Sequence, residues 1–124
     1  MKILVPVADP LFAAALLEFI LAHRWPEKTH FHIVHVIEPF LLDQSSRATF
    51  ATLLSRSEQE MILSAGKMVD EAATLLRKKI PNVQASSEVR AARVLPELLK
   101  LADEMQADLI IAGSHGQSGF NRLI

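Results

Sequence analysis

Apolar residues in this chain fall into four short strand-like runs, and the stretches between them carry helical spacing. Residues 2 to 7, KILVPV, predict a first buried strand, with Pro6 near its end because proline cannot donate to a strand ladder. Asp9 then precedes Pro10, a helix start in which the aspartate accepts a backbone N–H and proline at the first helical position forfeits no bond. Leu11, Phe12, Ala15, Leu16, Phe19 and Ile20 recur at helical spacing, and Arg24 to Glu27 turn the chain. Thr29 to Ile37 predicts a second strand, rich in β-branched residues and ending at Glu38 and Pro39.

After a connection over residues 40 to 48, the chain reads as one long helix from about Thr49 to Ile80. Its stripe is Phe50, Leu53, Met61, Ile62, Ala65, Val69, Ala72, Leu76 and Ile80. The closing cluster Arg77, Lys78 and Lys79 suits a helix C-terminus better than a phosphate or nucleic-acid patch. Asn82 to Arg90 alternates, with Val83, Ala85, Ser87 and Val89 against Gln84, Ser86, Glu88 and Arg90, the pattern of a half-exposed edge strand. Pro96 opens a third helix whose Leu98, Leu99, Ala102 and Met105 point inward. Leu109 to Ala112, apolar without alternation, predicts a buried fourth strand.

Strands alternating with helices predict an α/β fold: a doubly wound, Rossmann-like parallel sheet with helices on both faces and strand order 3-2-1-4. One domain over residues 1–124 accounts for the length. Phe120, Leu123 and Ile124 begin an apolar helical stripe, and the fourth strand would be an exposed edge. A closing helix and a fifth strand are therefore expected to be missing here, through truncation or because another chain completes the sheet.

Composition removes several function classes. A net charge of -1 gives no global basic footprint for nucleic acid or an anionic membrane. Without cysteine there is no thiol nucleophile, disulfide or zinc–thiolate site. No stretch approaches the length of about 18 apolar residues that spans a bilayer, and Met1 leads into ILVPV without a basic leader, so a cytoplasmic location is expected. His30 and His32 share one face of the second strand at a spacing seen in some metal sites, with His35 facing the other way. No third ligand is nearby in sequence, so half-exposed strand histidines are the simpler reading and no metal is assigned.

The stretch ADLIIAGSHGQSGF, residues 107 to 120, concentrates the candidate chemistry. Gly113, Gly116 and Gly119 recur every third residue, supply positions where φ can be positive, and let a ligand approach bare backbone. Ser114 and Ser118 add hydroxyls, and a helix beginning near Gly119 would aim free N–H groups into the loop, an anion site. A strand-to-helix turn also needs small residues, so a purely structural role stays open. In the predicted sheet, ligands sit where the strand order reverses, between strands one and four. The turn from Val7 through Asp9 to Pro10 would face the loop that leaves Ala112, with a nucleotide base near Pro6 and Val36 and its phosphates on the glycines.

The opening MKILVPV, the strand FHIVHVIEP, the long second helix and ADLIIAGSHGQSGF together resemble the universal stress protein family along essentially the whole chain. That resemblance implies ATP, possibly with magnesium, as ligand, a homodimer paired through a fifth strand, a role in stress responses and no agreed catalytic reaction. Gly113 and Gly116 match the first half of the family's phosphate loop, with Ser114 and His115 lining it, and Val36 would lie against adenine or ribose. Three positions depart from the pattern. Ala8 stands where nucleotide-binding members usually carry aspartate, Ala92 where glycine is frequent, and the second Gly-Ser element is not reached before Ile124. An interaction module of the same fold without nucleotide, able to engage a regulatory partner, therefore stands beside the nucleotide reading. A slow ATP hydrolase using His115 comes third.

Overall fold

The computed structural model describes residues 1–38 and 56–113. In chain order its elements are β1 (Lys2–Pro6), α1 (Pro10–Leu21), β2 (His30–Ile37), α2 (Arg56–Lys79), β3 (Gln84–Ala91), α3 (Val94–Glu104) and β4 (Leu109–Ile110). The four strands form one sheet in the order β3-β2-β1-β4, every pair parallel. Order, class and the alternation of strands with helices are those expected from the sequence.

Local signals set the element ends. Pro6 is the last residue of β1, beyond which Val7 N–H donates to Val34 O. Asp9, with extended backbone, caps α1 by accepting from Phe12 N–H at 2.9 Å. Three turn residues entering strands, Lys28, Asn82 and Gln106, have φ of 66°, 64° and 53°.

Handedness decides which face each helix covers. The steps β1 to β2 and β2 to β3 run the same way across the sheet, so right-handed crossovers put α1 and α2 together; the step to β4 reverses, so α3 lies opposite. Accordingly Ile3, Val5, Val7, Phe31 and Ile33 pack with Ala13, Leu16 and Ile20 of α1 and Val69, Ala72, Ala73 and Leu76 of α2. On the other face Leu4 and Val34 meet Leu101, with Val36, Leu98, Ala102 and Met105 half-buried around them.

The structure corrects several expected details. In α1 the inward residues are Ala13, Leu16 and Ile20, whereas Leu11 is 80% and Phe19 47% exposed and Ala15 is exposed. The helix is apolar on most sides, so spacing alone does not choose its buried arc. In α2, Met61 is exposed, because a 24-residue helix is about 36 Å long against about 26 Å for the strands beneath, and its first turns overhang. Phe50 and Leu53 lie outside the described residues. Helix α3 begins at Val94 rather than Pro96; proline falls within the first turn, where its missing N–H would have no helical partner. There Leu98, Ala102 and Met105 pack inward as expected, but Leu101 is buried and Leu99 exposed. Strand β4 is short and not buried: Leu109 and Ile110 are 40% and 43% exposed at the sheet edge, and only Ile111 beyond them is covered.

Candidate functional site

At the C-terminal ends of β1, β2 and β4 a cleft of about 430 Å³ opens where the strand order reverses. Five residues expected from the sequence line it: Pro6, Val7, Val36, Ala112 and Gly113. Ala8 and His35 complete the strand side, and Val94 and Leu98 of α3 form the facing wall. Larger grooves, about 620 and 530 Å³, lie along α2 and between α1 and α2. Their walls are side chains of α1 and α2 with none from a strand, so the smaller cleft is the better candidate in an open parallel sheet.

Asp9 is not among the lining residues; its carboxylate caps α1. Ser114, His115, Gly116, Ser118 and Gly119 lie outside the described residues. Gly113 is at the cleft, though its φ is not in the left-handed region. Its requirement is steric: a Cβ there would stand 2.8 Å from Cδ1 and 3.2 Å from Cε1 of Phe12. The glycine lets β4's exit pass directly over the first turn of α1.

His35 is the polar lining residue that sequence reasoning missed. Its Nδ1 lies 2.7 Å from Val7 O. A carbonyl only accepts, so Nδ1 carries the hydrogen and Nε2 of the neutral ring is an acceptor. Facing opposite to His30 and His32 was its one sequence signal. The N-terminus of α3 is held from across the sheet, where Val94 N–H donates to Glu38 Oε1 at 3.2 Å. Arg90 adds a second tie, with Nη1 2.7 Å from Glu97 Oε2 on α3 and Nε 3.0 Å from Glu88 Oε2.

The two histidines of β2 share a face as their spacing requires. His30 Nε2 and His32 Nδ1 lie 2.7 and 2.6 Å from the same atom, Ser86 Oγ, and His32 Nε2 lies 2.7 Å from Glu88 Oε1. Burial, then the neighbouring His32 and Lys2, hold His30 below the usual histidine pKa. Glu88 is also lowered: burial pushes it up, but hydrogen bonds from Arg90 and His32 with their charges outweigh that. Among the described residues no group of three or more His, Asp or Glu is placed to hold a metal ion. At the end of α2, Arg77 donates to Ala85 O at 2.6 Å, which fits a structural role for the basic cluster. No helix among the described residues is long and apolar enough to cross a membrane.

A family model described as the universal stress protein family matches residues 1–124. A search of curated protein sequences finds no significant match. Among solved structures, the hypothetical protein MJ0577 superposes with a TM-score of 0.72 at 18% identity, covering 98% of this chain and 79% of that one. A protein of the universal stress protein family from Burkholderia pseudomallei gives 0.62 at 21% identity, with 98% and 86% covered. A universal stress protein family protein from Arabidopsis thaliana, solved with AMP bound, gives 0.64 at 10% identity, with 98% and 82% covered. At these identities the structures show the shared fold, and the family model carries the assignment. The chain belongs to the universal stress protein family.

Proposed function

We propose that this chain is a stress-response protein that binds an adenine nucleotide in the cleft between β1 and β4 and acts through nucleotide-linked dimer or partner contacts. The observation that carries this reading is the cleft itself, which gathers Pro6, Val7, Val36, Ala112 and Gly113 at the topological switch point. Its size and apolar walls suit a purine, with Val36 and Leu98 on either side. His35 Nε2 would accept a hydrogen bond from an exocyclic amino or ribose hydroxyl group. Phosphates would extend past Gly113 toward Ser114, His115, Gly116, Ser118 and Gly119, with magnesium accompanying ATP. The Arabidopsis structure with AMP bound supports the ligand class.

Ala8 favours a second reading. It lines the cleft without a polar group where a carboxylate could hold ribose, which suits an interaction module that dispenses with nucleotide. Calorimetric titration of the chain with ATP and magnesium, and separately with AMP, tests the choice. Replacing exposed Ala112 by Trp fills the cleft without entering the core, so affinity should fall at least about tenfold while stability stays within about 0.5 kcal/mol. Equal binding by A112W would remove the nucleotide from this cleft.

A further inference from the structure

The hydrogen-bonded chain across β2 and β3 has a defined direction. Glu88 is ionised and its carboxylate only accepts, so His32 Nε2 carries a hydrogen and donates to it. The neutral ring then has a bare Nδ1, and the Ser86 hydroxyl donates to it across 2.6 Å. That uses the hydroxyl's one hydrogen. The 2.7 Å contact on its other side therefore runs inward, from His30 Nε2–H to Ser86 Oγ. Arg90 grips the second oxygen of Glu88 and is itself held by Glu97, so the carboxylate is fixed at both ends.

Carboxylate, imidazole and hydroxyl in that order are the group that orients a base, the base, and the nucleophile whose proton the base takes. We propose that Ser86 is an acyl acceptor for small activated esters, with His32 as its general base and Glu88 orienting His32. The site lies on the sheet face away from α1 and α2, outside the nucleotide cleft. Its groups are partly exposed, with the His32 and Glu88 side chains at 16% and 31%, so this face of the site is open to solvent. Ser86 Oγ forms a bond to the ester carbonyl carbon while its proton passes to His32 Nδ1. The tetrahedral intermediate then collapses, the bond to the leaving oxygen breaks, and the His32 proton goes to that oxygen. The products are acyl-Ser86 and the free alcohol. The transient imidazolium is balanced by Glu88 at 2.7 Å.

The same geometry limits the substrates. Even-numbered residues of β3, Ser86 among them, direct their amides into the ladder with β2, as Gln84 N–H to Thr29 O shows, so the nucleophile's own N–H is not spare for the carbonyl oxygen. The side chains beside its developing charge are His30, with its Nε2–H, and Lys2, which acts electrostatically on the same ring. Esters with good leaving groups are therefore the class this site can use.

The test is incubation of the whole chain with p-nitrophenyl acetate, following p-nitrophenolate release and mapping acetyl groups by peptide mass spectrometry. The expected result is one acetyl group on Ser86, formed faster than acetylation of surface lysines. It should be lost in Ser86→Ala and slowed about a hundredfold in His32→Gln, with circular dichroism verifying that both variants fold. An unmodified Ser86 in a sample whose lysines react would overturn the proposal. So would a rate at Ser86 that His32→Gln leaves unchanged, since that describes an ordinary exposed serine.

Discussion

Gly113→Ala separates two reasons for a glycine at the cleft, because they predict opposite signs. The φ of Gly113 is outside the left-handed region, so with open space around it alanine would stabilise the fold by about 0.4–1 kcal/mol through the unfolded state. The space is not open. A Cβ would sit 2.8 Å from Phe12 Cδ1, and the ring must retreat by about 0.6 Å or more to restore van der Waals contact. Phe12 lies in the first turn of α1, with its N–H tied to Asp9, so the ring cannot move off with its backbone. Overpacking of this kind costs about 1–3 kcal/mol, enough to outweigh the entropic gain and leave a net loss near 1 kcal/mol. In a domain of this size that lowers the melting temperature by about 4 °C. Thermal and urea unfolding of G113A, F12A and the double variant would read it. The cycle should show a coupling of about 1.5–2 kcal/mol, the net loss with the ring plus the gain recovered without it, with alanine at 113 mildly stabilising once the ring is gone. A G113A protein as stable as the parent, or one destabilised equally with and without Phe12, would refute the steric account.

Other consequences are local. Gln106→Gly should stabilise the chain by up to about 1 kcal/mol in urea unfolding, because Gln106 holds a φ of 53° at the turn into β4. Trp25→Phe should cost about 1 kcal/mol in the same assay, since it keeps the ring edge-on to Phe31 but removes the 2.7 Å bond from Nε1 to Ile20 O. The lowered pKa of His30 sets a pH dependence: the unfolded chain takes up the proton more readily, so stability is full above the ordinary value of 6.5 and is lost as pH falls through the folded value. His30→Gln should flatten that slope just below pH 6.5, well before the pH reaches 4.5, the ordinary value of Glu88; an unchanged slope would assign it to another group.

The parts of the fold legible in the sequence are those fixed by neighbouring residues or by chain topology. Asp9–Pro10 announces the start of α1, and alternation along β3 announces an edge strand. The order of strands follows from buried runs joined by right-handed crossovers. The faces of the helices were harder. PLFAAALLEFIL has apolar residues all round, so only packing against β1 and β2 selects Ala13, Leu16 and Ile20. In α3 the choice of Leu101 over Leu99 depends on the positions of Leu4 and Val34 beneath it.

At the cleft, Pro6, Val7, Val36, Ala112 and Gly113 could be grouped from the sequence because each lies at or just beyond the C-terminal end of β1, β2 or β4. His35 was not, since its tie to Val7 O spans 28 residues. Nor was the cap on α3 by Glu38, whose partner lies 56 residues away. Gly113 lies at the cleft without a positive φ, and the close neighbour that asks for glycine there, Phe12, approaches from across the fold.

The central claim is that the cleft between β1 and β4 takes an adenine nucleotide. Titration calorimetry of the chain with ATP and magnesium, with A112W in parallel, tests it most directly. Binding on the order of micromolar is expected, weakened at least about tenfold by A112W. A folded chain that binds neither ATP nor AMP, or that binds equally well with the cleft filled, would contradict it.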